Sequence, residues 1–229
     1  MLESSRVTRS VHRVRFEKPP GFRFAPVQFC GLELSTEEGG IEYPMSLACS
    51  PTKPYLEFGA RISNSPWKRA LAALKPGDVA EIDGPYGHFV LDEASPTVLI
   101  AGGIGITPLK GMAEYAADRR LPIQVRLVYS NRNEGEIAYR AELEELTRRN
   151  PRFTILHTLT RVAEGSAWSG RRGRVDAEFL AEASHGLSNP TFYVCGTSGM
   201  VQETARILYG GGVSSGRVKF EVFRGYDST

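Results

Sequence analysis

Residues 97–109 read Thr97-Val98-Leu99-Ile100-Ala101-Gly102-Gly103-Ile104-Gly105-Ile106-Thr107-Pro108-Leu109. An apolar, strand-forming run breaks into glycines and then opens a segment in which Leu109, Met112 and Ala116 recur at i, i+3 and i+7. That order is buried strand, glycine turn, amphipathic helix, with Thr107 suited to cap the helix and Pro108 to its first position. Moving outward, the unit recurs: apolar runs at 125–129, 153–159 and 192–195 alternate with helical patterns such as Tyr139, Leu143, Leu146 and Val201, Ala205, Leu208. Alternating strands and helices predict a parallel, helix-flanked sheet from residue 96 to the end.

Upstream of Ser95-Pro96 the pattern changes. In 55–62, Leu56, Phe58, Ala60 and Ile62 alternate with Tyr55, Glu57, Gly59 and Arg61, the signature of a half-buried strand. Shorter runs at 11–16, 27–34, 79–82 and 88–91, divided by turns such as Lys75-Pro76-Gly77-Asp78, predict an antiparallel barrel or sandwich with one short helix over 67–74. The chain thus divides into two domains, 1–95 and 96–229.

Composition narrows the function classes. Among 229 residues, 28 Lys and Arg against 26 Asp and Glu leave +2, which implies no bulk affinity for nucleic acid. The most apolar stretch, 97–109, falls short of the roughly 18 apolar residues a membrane span requires. The opening MLESSRVTRSVHRVRF lacks the apolar run of a signal peptide, so a cytoplasmic protein is expected. Cys30, Cys49 and Cys195 are too few for a four-cysteine zinc or iron-sulfur site, and His12, His88, His157 and His185 lack ligand spacing. Without a metal, redox chemistry has to come from an organic cofactor.

Gly103-Ile104-Gly105-Ile106-Thr107-Pro108 sits where open α/β sheets bind ligands, at the carboxyl edge of a strand, and its glycines let a pyrophosphate approach a helix N-terminus. Tight packing is the alternative reading of the same glycines. The third glycine of the dinucleotide fingerprint and the Gly-Lys-Ser/Thr of a phosphate loop are absent. Phe192-Tyr193-Val194-Cys195-Gly196-Thr197-Ser198-Gly199-Met200 is a second strand-to-turn-to-helix unit. Parallel topology brings its edge beside the Gly103 turn, so Cys195 is either an inert core thiol or a group facing the ligand.

Gly-x-Gly-x-x-Pro followed by Cys-Gly-x-x-x-Met, behind a barrel-like half ending near Gly84-Pro85-Tyr86-Gly87-His88-Phe89, resembles the ferredoxin-NADP reductase superfamily. Tyr129-Ser130-Asn131-Arg132 and the terminal Phe220-Glu221-Val222-Phe223 extend the resemblance over nearly the whole chain. It implies an N-terminal antiparallel β-barrel that binds a flavin, FAD ahead of FMN, and an α/β domain that binds NADPH or NADH. The flavin motif Arg-x-Tyr-Ser falls on Tyr43-Pro44-Met45-Ser46, with Ser46 at the reactive edge of the ring and two departures, Tyr43 and Met45. The resemblance places Ser63, Ser65 and Gly84 at the flavin, Gly103, Gly105, Thr107, Pro108, Gly196 and Met200 at the dinucleotide, and Arg61 among the cofactor-binding residues. It gives Ser46, Cys195 and Glu221 catalytic roles and leaves Phe223 and Tyr226 to compete for shielding the flavin. Thr160 and Arg161, with Arg132 at the same edge, offer the hydroxyl and guanidinium that read the 2′-phosphate of NADP.

The implied function is a reductase that passes hydride from NAD(P)H to flavin and electrons on to a separate acceptor, a protein such as a ferredoxin or oxygenase component or a small molecule. Arg6, Arg9, Arg13, Arg15, Lys18 and Arg23 form either a docking surface for an acidic partner or, the preferred reading, a solvated strand face. A short-chain dehydrogenase is disfavoured, because the dinucleotide unit comes second and no Tyr-x-x-x-Lys pair occurs. The rival from another class is a non-catalytic sensor that kept the fold and lost the flavin, suggested by positions 43 and 45.

Overall fold

The structure is a computed structural model and describes residues 1–223. Strands β1 (Glu3–Arg6), β2 (Val11–Glu17), β3 (Phe29–Thr36), β4 (Gly39–Ser46), β5 (Tyr55–Arg61) and β6 (Glu81–Tyr86) form two antiparallel sheets, ordered β1-β2-β5 and β4-β3-β6. Between the sheets lie Val14, Phe16, Leu32, Leu34, Leu56 and Phe58, joined by Trp67 and Leu71 from helix α1 (Pro66–Ala73). Ser65 caps α1 by accepting from Lys68 N at 3.4 Å, and Pro66 takes the first helical position.

Three strand readings differ from the sequence patterns. β1 and β4 are too polar to stand out, and 88–91 is not a strand. Gly87, at φ +100°, turns the chain out of the sheet, and the Val90 carbonyl then accepts from Tyr193 and Lys219 side chains of the other half. β5 is buried on both faces, not one, because the second half of the molecule covers Glu57 and Gly59.

The second half contains β7 (Thr97–Gly102), α2 (Ile106–Asp118), β8 (Val125–Asn131), α3 (Arg140–Arg149), β9 (Phe153–Leu159), β10 (Arg171–Arg172), α4 (Ala177–Ser184), β11 (Thr191–Gly196), α5 (Ser198–Gly210) and β12 (Val218–Val222). Its six strands are all parallel, in the order β10-β9-β8-β7-β11-β12. Leu99 and Ala101 of β7 face α2 and α3, whereas Val98 and Ile100 face α4 and α5, which explains the continuous apolar run. The strand order reverses between β7 and β11, and their register pairs Ala101 with Cys195. Both glycine turns therefore emerge side by side at the switch point where such sheets bind ligands. No helix among the described residues is long and apolar enough to cross a membrane.

Candidate functional site

The end of β4 and the end of β12 meet across the two halves. Ser46 Oγ donates to Glu221 Oε1 at 2.8 Å, joining residues 175 positions apart. Burial pushes the Glu221 carboxyl above its ordinary value, and the hydrogen bond from Ser46 partly offsets the rise. The pair lies in a cavity of about 240 Å³ whose walls are largely Phe29, Tyr43, Pro44, Met45, Ile104 and the bare backbone of Gly59, with Thr107, Val222 and Phe223 completing it. Tyr43 is held by the Trp67 ring, 5.2 Å between centroids. A slot with apolar walls and one polar pair fits a flat heteroaromatic ring that is apolar on its faces and polar along one edge.

A second cavity, about 750 Å³, runs along the carboxyl ends of β7, β8, β9 and β11. Among the described residues, Arg61, Arg132, Arg161 and Arg174 line it, against one carboxylate, Glu203. Such a cleft suits a polyanion. Arg61 reaches in from β5, its Nη1 donating to Glu136 Oε2 at 2.9 Å and to Ser10 Oγ at 3.1 Å. Burial would raise the Glu136 carboxyl, but the Ser10 hydrogen bond and the Arg61 charge together hold it below its ordinary value. The Asn131 amide, 4% exposed, lines the same cleft beside the Tyr129 hydroxyl. The two cavities share Ile104 and Phe223 as a common wall.

Of the residues singled out in the sequence, Tyr43, Pro44, Met45, Ser46, Thr107, Glu221 and Phe223 line the smaller cavity. Arg61, Gly103, Arg132, Thr160, Arg161, Gly196, Met200 and again Phe223 line the larger. Arg61 thus lines the larger cavity and not the smaller. Neither cavity includes Ser63, Ser65, Gly84, Gly105, Pro108 or Cys195. Ser63 and Ser65 are exposed at the start of α1. Gly84, at φ +142° within β6, packs against Cys30 and the Phe29 carbonyl, so it serves the irregular pairing of β6 with β3. Gly105 is needed because a Cβ there would collide with the Cys195 carbonyl. Thr107 does not cap α2: a 3-10 turn over Gly103–Gly105 starts the helix earlier, and the Thr107 hydroxyl donates back to the Ile104 carbonyl at 3.0 Å. Pro108 is consequently buried inside the first turn.

Cys195 is the larger correction. Its side chain faces the core beneath the turn, fully buried, because alternation along β11 sends Tyr193 and Cys195 toward α2. Burial, with the Glu221 charge adding to it, pushes the thiol well above its ordinary value. Cys195→Ser is expected to lower stability by about 1–3 kcal/mol through an unsatisfied buried hydroxyl. Urea denaturation checks this; unchanged stability with slowed flavin reduction would return the thiol to the site. Two of the six basic N-terminal residues are committed elsewhere, with Arg13 bridging Glu3 and Glu142 and Arg15 bridging Glu3 and Glu57. Tyr226 lies outside the described residues. Arg174 and Glu136 escaped the sequence reading, since nothing local marks a residue after a two-residue strand or the partner of a distant arginine, and Asn131 entered it only as part of the 129–132 stretch.

Residues 99–206 match the oxidoreductase NAD-binding domain family. Ferredoxin-NADP reductase B of Sorangium cellulosum is 32% identical over 212 residues, covering 87% of this chain and 86% of that one. The glycine betaine monooxygenase reductase subunit of Pseudomonas aeruginosa is 29% identical over 213 residues, and the alignment takes in 90% of this chain but only 58% of that longer protein. In fold, the structure of a ferredoxin NADP+ reductase from Neisseria gonorrhoeae with bound FAD and NADP superposes with a TM-score of 0.82, covering 96% of this chain and 95% of that one at 23% identity. With one relative 32% identical over 87% of this chain and 86% of its own length, and with the glycine turns and sheet order already in place, the chain belongs to the ferredoxin-NADP reductase superfamily of flavin oxidoreductases.

Proposed function

We propose that this chain is an NAD(P)H-dependent flavin reductase: reduced nicotinamide enters the larger cavity, hydride passes to FAD in the smaller one, and electrons leave to a separate acceptor. The division of labour is 1–95 for the flavin and 96–229 for the dinucleotide. The observation that carries this reading is the shared wall, since an apolar slot and a cationic cleft meet at Ile104 and Phe223. When bound, the flavin supplies the step from hydride to single-electron chemistry. The protein's part is placement. Ser46, oriented by Glu221, holds the polar edge; Tyr43, Pro44 and Met45 form one wall; and Phe223 occupies the boundary that a nicotinamide ring has to cross. Methionine in place of an aromatic residue at 45 still covers a ring by sulfur contact.

The acceptor is a ferredoxin or an oxygenase component, a choice supported by relatives named as a ferredoxin-NADP reductase and a monooxygenase reductase subunit. Three unpaired, buried cysteines favour a reducing compartment, the cytoplasm. Fluorescence titration of the flavin-free protein tests the smaller cavity: FAD is expected to bind with quenching and FMN more weakly, and uptake of neither refutes the reading.

Glu221 makes a separate, pH-dependent prediction. A carboxyl raised above 4.5 in the fold keeps its proton where the unfolded chain has lost it, so its contribution is fully present at low pH and is lost as pH rises through the folded value. Glu221→Gln removes that loss. The melting temperature of the variant, relative to wild type, is expected to rise from pH 4.5 toward neutrality; a difference that is flat or falls with pH contradicts the assignment.

A further inference from the structure

The face of β5 that the antiparallel core leaves over carries Glu57, fully buried, and opposite it stands Lys110 of α2, also fully buried. Lys110 Nζ donates to Glu57 Oε1 at 3.0 Å, to Glu114 Oε1 at 2.6 Å and to the Ala48 carbonyl at 3.1 Å, which uses all its hydrogens. The outer oxygens are satisfied in turn: Glu57 Oε2 accepts from Arg15 Nε at 2.7 Å, and Glu114 Oε2 from Ser50 N at 3.0 Å. Beside this cluster Gly111 lets the helix backbone approach closely, since a Cβ there would stand 2.9 Å from the Cys49 carbonyl oxygen and 3.3 Å from that of Leu47. Arg15, Ala48, Ser50 and Glu57 belong to the antiparallel half, Lys110 and Glu114 to the parallel half.

Stability alone does not account for such a cluster. Removing charges from water costs about what their attraction returns, and apolar side chains of similar volume would join the halves equally well. What the ionic cluster adds is a single register, because displacing α2 breaks several directional bonds together. Burial would lower the ammonium, yet the two carboxylates outweigh it and hold Lys110 above its ordinary value, so the ammonium stays charged at neutral pH.

The register matters because of what the gripped segments carry. Ala48 follows Ser46 by two residues, and Glu57 precedes Gly59, a wall of the smaller cavity, by two. Lys110 follows Thr107 by three and lies on the helix that grows out of the Gly103–Gly105 turn at the larger cavity. We propose that Lys110 is a positioning residue for hydride transfer: by holding Ala48, Glu57 and Glu114 at once, it fixes the spacing between the flavin wall and the dinucleotide turn. This rests on the reductase reading and deepens it.

The test uses the full chain loaded with FAD. Lys110→Met keeps the length and removes the charge; because it strands two buried carboxylates, Lys110→Met combined with Glu57→Gln and Glu114→Gln is made beside it, leaving Arg15 its bridge to Glu3. In the folded variant the limiting rate of flavin reduction is expected to fall by about 10- to 100-fold, the scale of a misplacement near 1 Å. The charge-transfer absorbance of the flavin–nicotinamide complex weakens with it, while the flavin midpoint potential holds. Amide hydrogen exchange of the flavin-loaded protein, without nicotinamide, is expected to quicken in 47–50 and 103–110 together. A reduction rate within about twofold of wild type, or unaltered exchange in both segments, overturns the proposal. A wild type that no nicotinamide reduces refutes the reductase reading instead, and the exchange comparison still decides whether Lys110 fixes the two walls.

Discussion

Ser46→Ala is expected to slow reduction of the bound flavin by on the order of 10²- to 10³-fold, the usual cost of removing one preorganised donor from a reacting centre. Ser46 is 8% exposed and its hydroxyl is the only group hydrogen-bonded to the Glu221 side chain among the described residues. Alanine removes the donor at the polar edge of the smaller cavity and leaves the buried carboxyl without its partner, so both groups of the pair lose their orientation. The side chain contributes little to the core, which at this edge is built from Met45, Leu47 and their neighbours. Stopped-flow absorbance gives the rate, and circular dichroism checks that the fold is intact. A folded variant reduced as fast as wild type would remove Ser46 from the reacting edge.

The second large effect concerns which nicotinamide is used. Arg161 and Arg174 are exposed and line the larger cavity with Thr160. Arg161 is fixed by its own backbone, its N donating to the Arg132 carbonyl at 2.7 Å. Guanidinium groups bind phosphate by paired, charge-assisted hydrogen bonds that the ribose hydroxyl of NADH cannot replace. Wild type is therefore expected to prefer NADPH, and Arg161→Ala with Arg174→Ala to raise the KM for NADPH by roughly 10- to 100-fold, with little change for NADH. Steady-state kinetics with both nucleotides decides it. Preference of the wild type for NADH, or an unchanged ratio in the double variant, would move the 2′-phosphate elsewhere.

What could be read in the sequence follows from what periodicity and turn chemistry report. The run 97–101 with its glycines is local information, and it located β7, the turn and α2 to within a residue or two. That the Cys195 turn lies beside the Gly103 turn followed from parallel topology, and the register shows it by pairing Ala101 with Cys195. Periodicity reports one face of a strand and is blind to what a second domain does with the other. Glu57 and Gly59 read as solvent-facing for that reason, and the partner of Glu57, Lys110, lies 53 positions away with no motif to announce it. Arg61, on the same face, is turned toward the larger cavity with a contact to Glu136, 75 positions on, that no local pattern announces. Cys195 was misplaced because edge position alone does not say which face of a strand a side chain takes, and on β11 that face is the core. The short β10 and the exposed arginine after it lack any apolar pattern to reveal them.

The measurement that bears most directly on the account is the visible spectrum of the FAD-loaded protein, recorded anaerobically before and after one equivalent of NADPH. The account predicts two flavin bands that bleach within the mixing time or shortly after, and that return on adding an oxidised ferredoxin-type or dye acceptor. A protein that takes up no flavin, or one whose flavin bands persist in the presence of both NADPH and NADH, would contradict it and leave the non-catalytic sensor as the better description.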